Sequence, residues 1–124
     1  MTSGRVISTK KPLVHLQFLD NIGELHTIPL VLDTGFTGQV SLPTRYVDRL
    51  GLSMRISTRG HLANGEFIDI PTGYATTVWQ GNRRRARVLQ LGTEPLLGME
   101  FIWNHRITID AVPNGPVTIN PIGG

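Results

Sequence analysis

Turn-forming residues interrupt this sequence at short intervals along its whole length. Fourteen glycines and eight prolines are spread through 124 residues, which leaves little room for long helices. Closely spaced turns favour many short strands. A chain of this length is ordinarily one domain, and it buries a sizeable core without disulfide bonds. We therefore predict an all-β protein of one domain.

Alternation of apolar and polar side chains marks the first strands. It runs through residues 13–18, and residues 24–33 return as a second strand after a turn at residues 20–23. Pro29 cannot donate a hydrogen bond to a neighbouring strand, so we expect it at a bulge or an unpaired position. Further strands are predicted at residues 40–42, 55–62, 66–70, 74–79, 84–91, 106–109 and 117–119.

Helix signals are few. Thr44 is expected to be the N-cap of one short helix, which ends at Gly51. Residues 96–104 are a second candidate for a short helix. Residues 1–11 are expected to form a polar N-terminal arm ahead of a single domain at residues 12–124.

Composition excludes several kinds of site. The chain has no cysteine, which excludes disulfides, a thiolate nucleophile and cysteine-based metal sites. The histidines lack metal-motif spacing, and we expect His15 and His26 to face one another across the first hairpin as a surface pair. We expect no metal and no cofactor. Residues 1–11 lack the apolar core of a signal peptide, and no segment is apolar enough to cross a membrane, so a cytoplasmic location is expected.

The net charge of +3 is concentrated in one place. Four arginines lie within five residues, namely Arg83, Arg84, Arg85 and Arg87. Such a run is most often the solvated end of a hairpin, here with its turn at residues 80–83. An RNA-associated module that uses this run is one alternative function, but few aromatic residues accompany it to stack on bases. Nucleic acid is therefore not the expected partner.

One acidic residue stands directly after an apolar run. Asp33 follows residues 28–32 and begins the triplet Asp33-Thr34-Gly35. A carboxylate at the end of a buried strand must be hydrogen-bonded to offset its desolvation. Gly35 allows the backbone to approach closely, and its amide can donate to the carboxylate. The triplet also suits an ordinary turn between strands, so both interpretations are open at this point.

Two further features follow the triplet in order along the chain. The first is Ala63-Asn64-Gly65, since Asn-Gly is a strong hairpin signal, and the second is Leu96-Leu97-Gly98. With these features the chain resembles the retropepsin-like aspartic proteases, above all their small bacterial and archaeal single-domain members. The resemblance covers about residues 13–110. It implies a small, closed, barrel-like fold that is active as a homodimer.

The resemblance implies a role for each motif. Asp33 is the expected catalytic acid, and Thr34 and Gly35 are its support. Two carboxylates in contact share one proton and act on water as acid and base, which requires no metal or covalent intermediate. Because the chain has a single Asp-Thr-Gly, the second carboxylate must come from a second copy. The residues expected to contact a peptide or protein substrate are Phe36, Ala63, Asn64, Gly65, Leu97 and Gly98, with residues 63–65 as the tip of a flap.

The sequence departs from the family pattern in two respects. Phe36 stands where pepsin-like relatives often have a Ser or Thr that bonds to the carboxylate. Retroviral relatives have an ion pair between an acidic residue soon after the triplet and an Arg after the apolar-apolar-Gly, and here those places hold Thr37 or Gly38 and Met99. The dimer must therefore be stabilised in another way. A catalytically silent dimer that binds peptides or proteins is a further alternative function.

Overall fold

The computed structural model describes residues 2–123, which form mainly strands. The prediction of an all-β protein with one short helix is confirmed. No helix within the described residues is long and apolar enough to span a membrane. In chain order the elements are β1 (Thr2–Val6), β2 (Pro12–Leu19), β3 (Leu25–Leu32), β4 (Val40–Leu42), α1 (Thr44–Leu50), β5 (Ile56–His61), β6 (Phe67–Trp79), β7 (Asn82–Gln90), β8 (Leu96–Leu97), β9 (His105–Ile109) and β10 (Pro116–Pro121).

One long strand closes the sheet into a barrel. The strands form a single sheet in the order β5-β6-β7-β4-β8-β3-β2-β1-β10-β9, and β6 pairs in addition with β2. This pairing sets Gln17 opposite Val78 and Leu19 opposite Thr76. It is possible because β6 has 13 residues and extends well beyond its hairpin with β5. The closed ring therefore contains β2, β6, β7, β4, β8 and β3.

Side-chain alternation places the core inside this ring. On β2 the side chains of Val14, Leu16 and Phe18 are buried, and the intervening polar residues face solvent. Val47 and Leu50 of α1 join the same apolar cluster. Full burial of a large apolar side chain stabilises the fold by about 1.5–3 kcal/mol. This core holds β3 in place, and Asp33 follows at its end.

Pro29 lies within β3 without breaking it. The amide of Val31 donates to the carbonyl of Pro95, on the side of β3 that faces β8. Pro29 lies two residues earlier, so its nitrogen points to the same side. Pairing with β8 covers only the end of β3, from Val31 to Leu32. On its other edge Pro29 is paired in register with His15 of β2, so the expectation of a bulge or an unpaired position holds only for the edge of β3 that faces β8.

The segment expected to be a polar arm contains a strand. β1 pairs with β10 on one side and with the start of β2 on the other. Gly4 permits this close approach, because a Cβ at that position would lie 1.8 Å from the Leu13 carbonyl oxygen. Pairing with two neighbours determines this structure, and the local pattern of apolar residues does not indicate it.

Two of the helix expectations were wrong in part. Pro43, not Thr44, occupies the N-cap position of α1, and the Thr44 hydroxyl accepts a hydrogen bond from Gln90 Nε2 at 3.0 Å. Gly51 ends the helix in the left-handed conformation as expected. Residues 96–104 form β8 followed by turns instead of a helix. The reason is that β8 pairs with both β3 and β4, which requires an extended backbone.

Candidate active site

Asp33 is the first residue of the loop that follows β3. Residues 33–39, here called the Asp33 loop, connect β3 to β4. The Asp33 carboxyl is half-buried, and its Oδ1 accepts a hydrogen bond from the Gly35 amide at 2.9 Å. A Cβ at position 35 would lie 3.2 Å from that oxygen, which explains the glycine. The amide expected from the sequence to support the carboxylate therefore does so.

The segment that contains β8 holds the Asp33 loop from one side. The Leu97 carbonyl accepts from the Asp33 amide at 3.0 Å, and the Gly98 amide donates to the Gln39 carbonyl at 2.8 Å. The Met99 amide donates to the Phe36 carbonyl at 2.9 Å. These backbone hydrogen bonds fix the position of Asp33 relative to the barrel.

Leu97 and Gly98 do not lie at a substrate-accessible surface. Leu97 is fully buried and Gly98 is also buried. A Cβ at position 98 would lie 2.1 Å from the Gly38 carbonyl oxygen. The expectation that Leu97 and Gly98 contact substrate is therefore corrected, since both are buried and support the Asp33 loop from inside the protein. Phe36 is half-buried, and Thr34 beside Asp33 is exposed.

The hairpin of β5 and β6 carries Ala63, Asn64 and Gly65 at its exposed tip. Residues 62–66, here called the hairpin tip, close with a hydrogen bond from the Leu62 amide to the Glu66 carbonyl at 2.8 Å. Asn64 Oδ1 accepts from the Glu66 amide at 3.0 Å. Gly65 has φ of 84°, a left-handed conformation that favours glycine. In residues 2–123 no hydrogen bond joins this tip to the Asp33 loop.

A cleft with polar and apolar lining residues connects the Asp33 loop to the β5–β6 hairpin. Arg87 of β7 donates through Nη2 to Thr58 Oγ1 of β5 at 2.6 Å, and its amide donates to Gln39 Oε1 at 2.7 Å. Gln39 Nε2 donates in turn to Glu100 Oε1 at 3.4 Å. The cleft has a volume of about 250 Å³. Its lining residues are Phe36, Thr37, Gly38, Gln39, Thr58, Arg87, Leu89 and Glu100.

Most of this cleft has no signal in the sequence, because its polar members come from four separate segments of the chain. Arg87 stands out in the sequence only as part of the basic run, and no sequence motif includes Gln39. A second, more apolar cavity of about 320 Å³ lies elsewhere, and none of its lining residues belongs to the Asp33 loop or the hairpin tip. Because it joins the Asp33 loop to β5, the cleft of about 250 Å³ is the candidate binding site.

Three of the four arginines of the basic run, Arg84, Arg85 and Arg87, make side-chain contacts within the protein. Arg84 Nη1 donates to the Phe101 carbonyl at 2.7 Å, and its guanidinium lies 3.9 Å from the centre of the Phe101 ring. Burial lowers the pKa of Arg84, and the charge of Glu100 opposes this effect. Arg85 lies over the Tyr74 ring at 3.9 Å. These contacts argue against a free basic patch for RNA.

Asp20, Glu24 and His26 form a cluster that could hold a cation, since their ligand atoms lie within 4.8 Å of one another. Asp20 Oδ1 accepts from the Ile22 and Glu24 amides, and Oδ2 lies 2.7 Å from His26 Nε2. These hydrogen bonds, the one with His26 first, lower the pKa of Asp20. The cluster thus stabilises the turn between β2 and β3.

The expected contact between the two histidines of the first hairpin was wrong. His15 lies opposite Pro29, and His26 lies opposite Phe18. In an antiparallel pair only directly opposed or diagonal residues touch, so the register separates the two imidazoles.

The barrel and the clamped Asp33 loop define a class of fold. A closed β-barrel, an Asp-Thr-Gly loop held by an apolar-apolar-Gly strand, and a facing hairpin together form a retropepsin-like fold. Two solved structures share it. A retropepsin-like aspartic protease from Rickettsia conorii superposes with a TM-score of 0.68 at 17% identity, covering 96% of this chain and 89% of that one. EIAV protease, solved in complex with the inhibitor HBY-793, gives a TM-score of 0.54 at 18% identity, covering 77% of this chain and 88% of that one.

No protein-family model and no curated protein matches the sequence. At these identities the structural likeness establishes the fold, and the chemistry has to be argued from the residues of this chain.

Proposed function

We propose that this protein is an aspartic endopeptidase that hydrolyses peptide bonds in peptide or protein substrates. The observation that carries the proposal is the Asp33 carboxyl, whose position at the start of the Asp33 loop is fixed by hydrogen bonds. Its Oδ1 is held by the Gly35 amide. Within the described residues its Oδ2 accepts no hydrogen bond, so this oxygen is available to a water molecule or to a second carboxyl group.

The chemistry requires a second carboxyl group. Hydrolysis of an amide by water needs a base that takes a proton from the water and an acid that protonates the carbonyl oxygen. Two carboxyl groups in contact cannot both ionise, so they share one proton and supply one group of each kind. The chain has a single Asp-Thr-Gly triplet. We therefore assign the second carboxyl to Asp33 of a second copy, in a homodimer with two-fold symmetry.

The surroundings of Asp33 suit an extended peptide. Thr34 is exposed beside Asp33, where its hydroxyl would brace the two loops across the dimer. The hairpin tip, with Ala63, Asn64 and Gly65 exposed, would close over the peptide, exclude water and pair with it as a neighbouring strand does. The cleft between Phe36 and Arg87 would receive a substrate side chain.

The test is cleavage of a peptide library between pH 4 and 7 by the wild type and by Asp33→Asn. Asn keeps the shape of the side chain and removes the titrating proton, so cleavage should fall by at least about 100-fold, with the circular dichroism spectrum unchanged. Asp48→Asn, an exposed change on α1, is the matched control and should cleave normally. Residual cleavage by Asp33→Asn within about tenfold of wild type would remove Asp33 from the catalytic role.

A further inference from the structure

The side chain of Trp103 is large and apolar, and it is exposed to solvent in this fold. It is 64% exposed, whereas Trp79, the other tryptophan of the chain, is 6% exposed. Its backbone is held in place, since the Trp103 carbonyl lies 2.8 Å from His105 Nδ1. An exposed tryptophan on an ordered segment is characteristic of an anchor residue in a protein interface.

Trp103 is part of a hollow built on the Asp33 loop. Thr37, Met99, Glu100 and Trp103 line a space of about 340 Å³. Thr37 belongs to the Asp33 loop itself, and the Met99 amide is hydrogen-bonded to the Phe36 carbonyl. The hollow is therefore fixed to the same short stretch of backbone that positions the Asp33 carboxyl.

The sheet is also incomplete on this side. β9 begins two residues after Trp103 and is the last strand in the sheet order. It pairs with β10 on one edge, and its other edge is unpaired within residues 2–123. An unpaired edge beside an exposed aromatic residue is a surface that another chain can cover.

The two-fold symmetry of the proposed dimer indicates that the chain covering this surface is a second copy of the protein. In the proposed function two Asp33 carboxyl groups must touch across a two-fold axis, so each Asp33 loop lies against the partner's copy of the same surface. Groups bonded directly to the loop then lie beside the axis. We infer that Trp103 anchors the interface with a second copy of this chain, where the hollow of residues 37, 99, 100 and 103 meets the partner. This inference rests on the proposed function. In the proposed dimer, the apolar contact of Trp103 with the partner takes the place of the ion pair that is missing at Met99.

The inference is tested by the association of the full-length chain, measured by sedimentation velocity over a wide concentration range. Trp103→Ala should raise the dimer dissociation constant by at least about tenfold. Ile22→Ala is the control: Ile22 is 75% exposed and lies in the turn at the opposite end of β3 from Asp33, so its dissociation constant should stay within about twofold of wild type. An unchanged dissociation constant for Trp103→Ala overturns the inference, whatever the cleavage activity.

Fluorescence gives a second measurement that does not depend on truncating Trp103. In a Trp79→Phe variant the only tryptophan emission comes from Trp103. Its quenching by iodide should decrease as the protein is concentrated through the dimer dissociation constant, because association buries the indole. Quenching that stays constant while the protein dimerises would place Trp103 outside the interface.

A tandem-linked dimer separates this inference from the proposed function. With Trp103→Ala in both halves, the linked dimer should cleave peptides at the rate of the linked wild type, because the linker supplies the association. An inactive linked variant would show that Trp103 acts inside the site and would overturn its assignment to assembly. If the protein dimerises through Trp103 but cleaves no peptide, the assignment of Trp103 to the interface is supported and the proposed protease activity is contradicted.

Discussion

The position of the Asp33 carboxyl depends on Gly98, a residue far away in the sequence. The Gly98 amide bonds to the Gln39 carbonyl, and a Cβ there would lie 2.1 Å from the Gly38 carbonyl oxygen and 2.7 Å from the Phe36 ring. Gly98→Ala must therefore displace the Asp33 loop. We expect the free energy of unfolding to fall by about 1–3 kcal/mol and peptide cleavage to fall as well, measured by urea denaturation and kcat/KM.

Gly60→Ala is the control for this change. A Cβ at position 60 would lie 2.7 Å from the end of the Ile70 side chain, which can turn aside. Its free energy of unfolding should change less than that of Gly98→Ala. Equal losses for the two variants would mean that the close approach of Gly98 to the Asp33 loop does not determine stability.

Asp20 makes the stability of the protein depend on acidic pH. Its hydrogen bond with His26, together with the Ile22 and Glu24 amides, lowers its pKa from the ordinary value of 3.8. A lowered carboxyl pKa in the folded state stabilises the protein above the unfolded value, and the stabilisation is lost as the pH falls through the folded value. The melting temperature of the wild type should therefore drop more steeply from pH 5 to 3 than that of Asp20→Asn. Parallel curves for the two proteins would contradict this assignment.

The sequence alone predicts the part of the candidate site that comes from one short segment of the chain. Asp33 and the supporting Gly35 amide are two residues apart and follow one apolar strand, so their geometry depends on local chain chemistry. Gln39, Thr58 and Arg87 meet only because β4 pairs with β7 and β5 pairs with β6. Nothing in the sequence around each of these residues indicates that they meet.

At the scale of elements, two hairpin turns that each contain a glycine of nearly the same φ allow a matched comparison. Gly65 in the hairpin tip has φ of 84°, and Gly81 at the other end of β6 has φ of 82°; a Cβ at either position would meet no atom within 4 Å. Val at either position costs about 1–2 kcal/mol through backbone strain. We expect equal losses of stability, with cleavage reduced only by Gly65→Val, because in the proposed function only that hairpin closes over the substrate. Equal kcat/KM for the two variants would exclude the β5–β6 hairpin as a flap.

The strands predicted from alternation are present, and the failures have a common cause. Residues 66–70 and 74–79 were expected as two strands, but they join as β6 through Pro71, which lies just before pairing with β7 begins at Thr72. β1 and β8 are short strands whose structure is set by neighbours on both sides. Local patterns identify strands that bury one face along their length, and they miss strands that depend on pairing.

At the scale of the whole molecule, the barrel follows from one contact that no local pattern reveals. The pairing of β2 with β6 closes the ring, and only the resemblance carried by the three motifs led to a closed sheet as the expectation. The ring leaves β9 at an open edge with Trp103 beside it. A single chain thus presents one Asp-Thr-Gly carboxyl group, at Asp33, and an exposed tryptophan beside the edge strand β9. Both are explained if two copies form one site.

A tandem-linked dimer with Asp33→Asn in one half tests this division of the site. The mechanism needs two carboxyl groups that share a proton, and one carboxyl cannot be acid and base at the same time. The singly substituted dimer should therefore be as inactive as the doubly substituted one, measured as kcat on the best library peptide. Asp48→Asn in one half should leave kcat unchanged, which controls for the substitution and the linker. If the singly substituted dimer kept about half of the wild-type rate, each chain would work alone, and the shared-proton mechanism would be wrong.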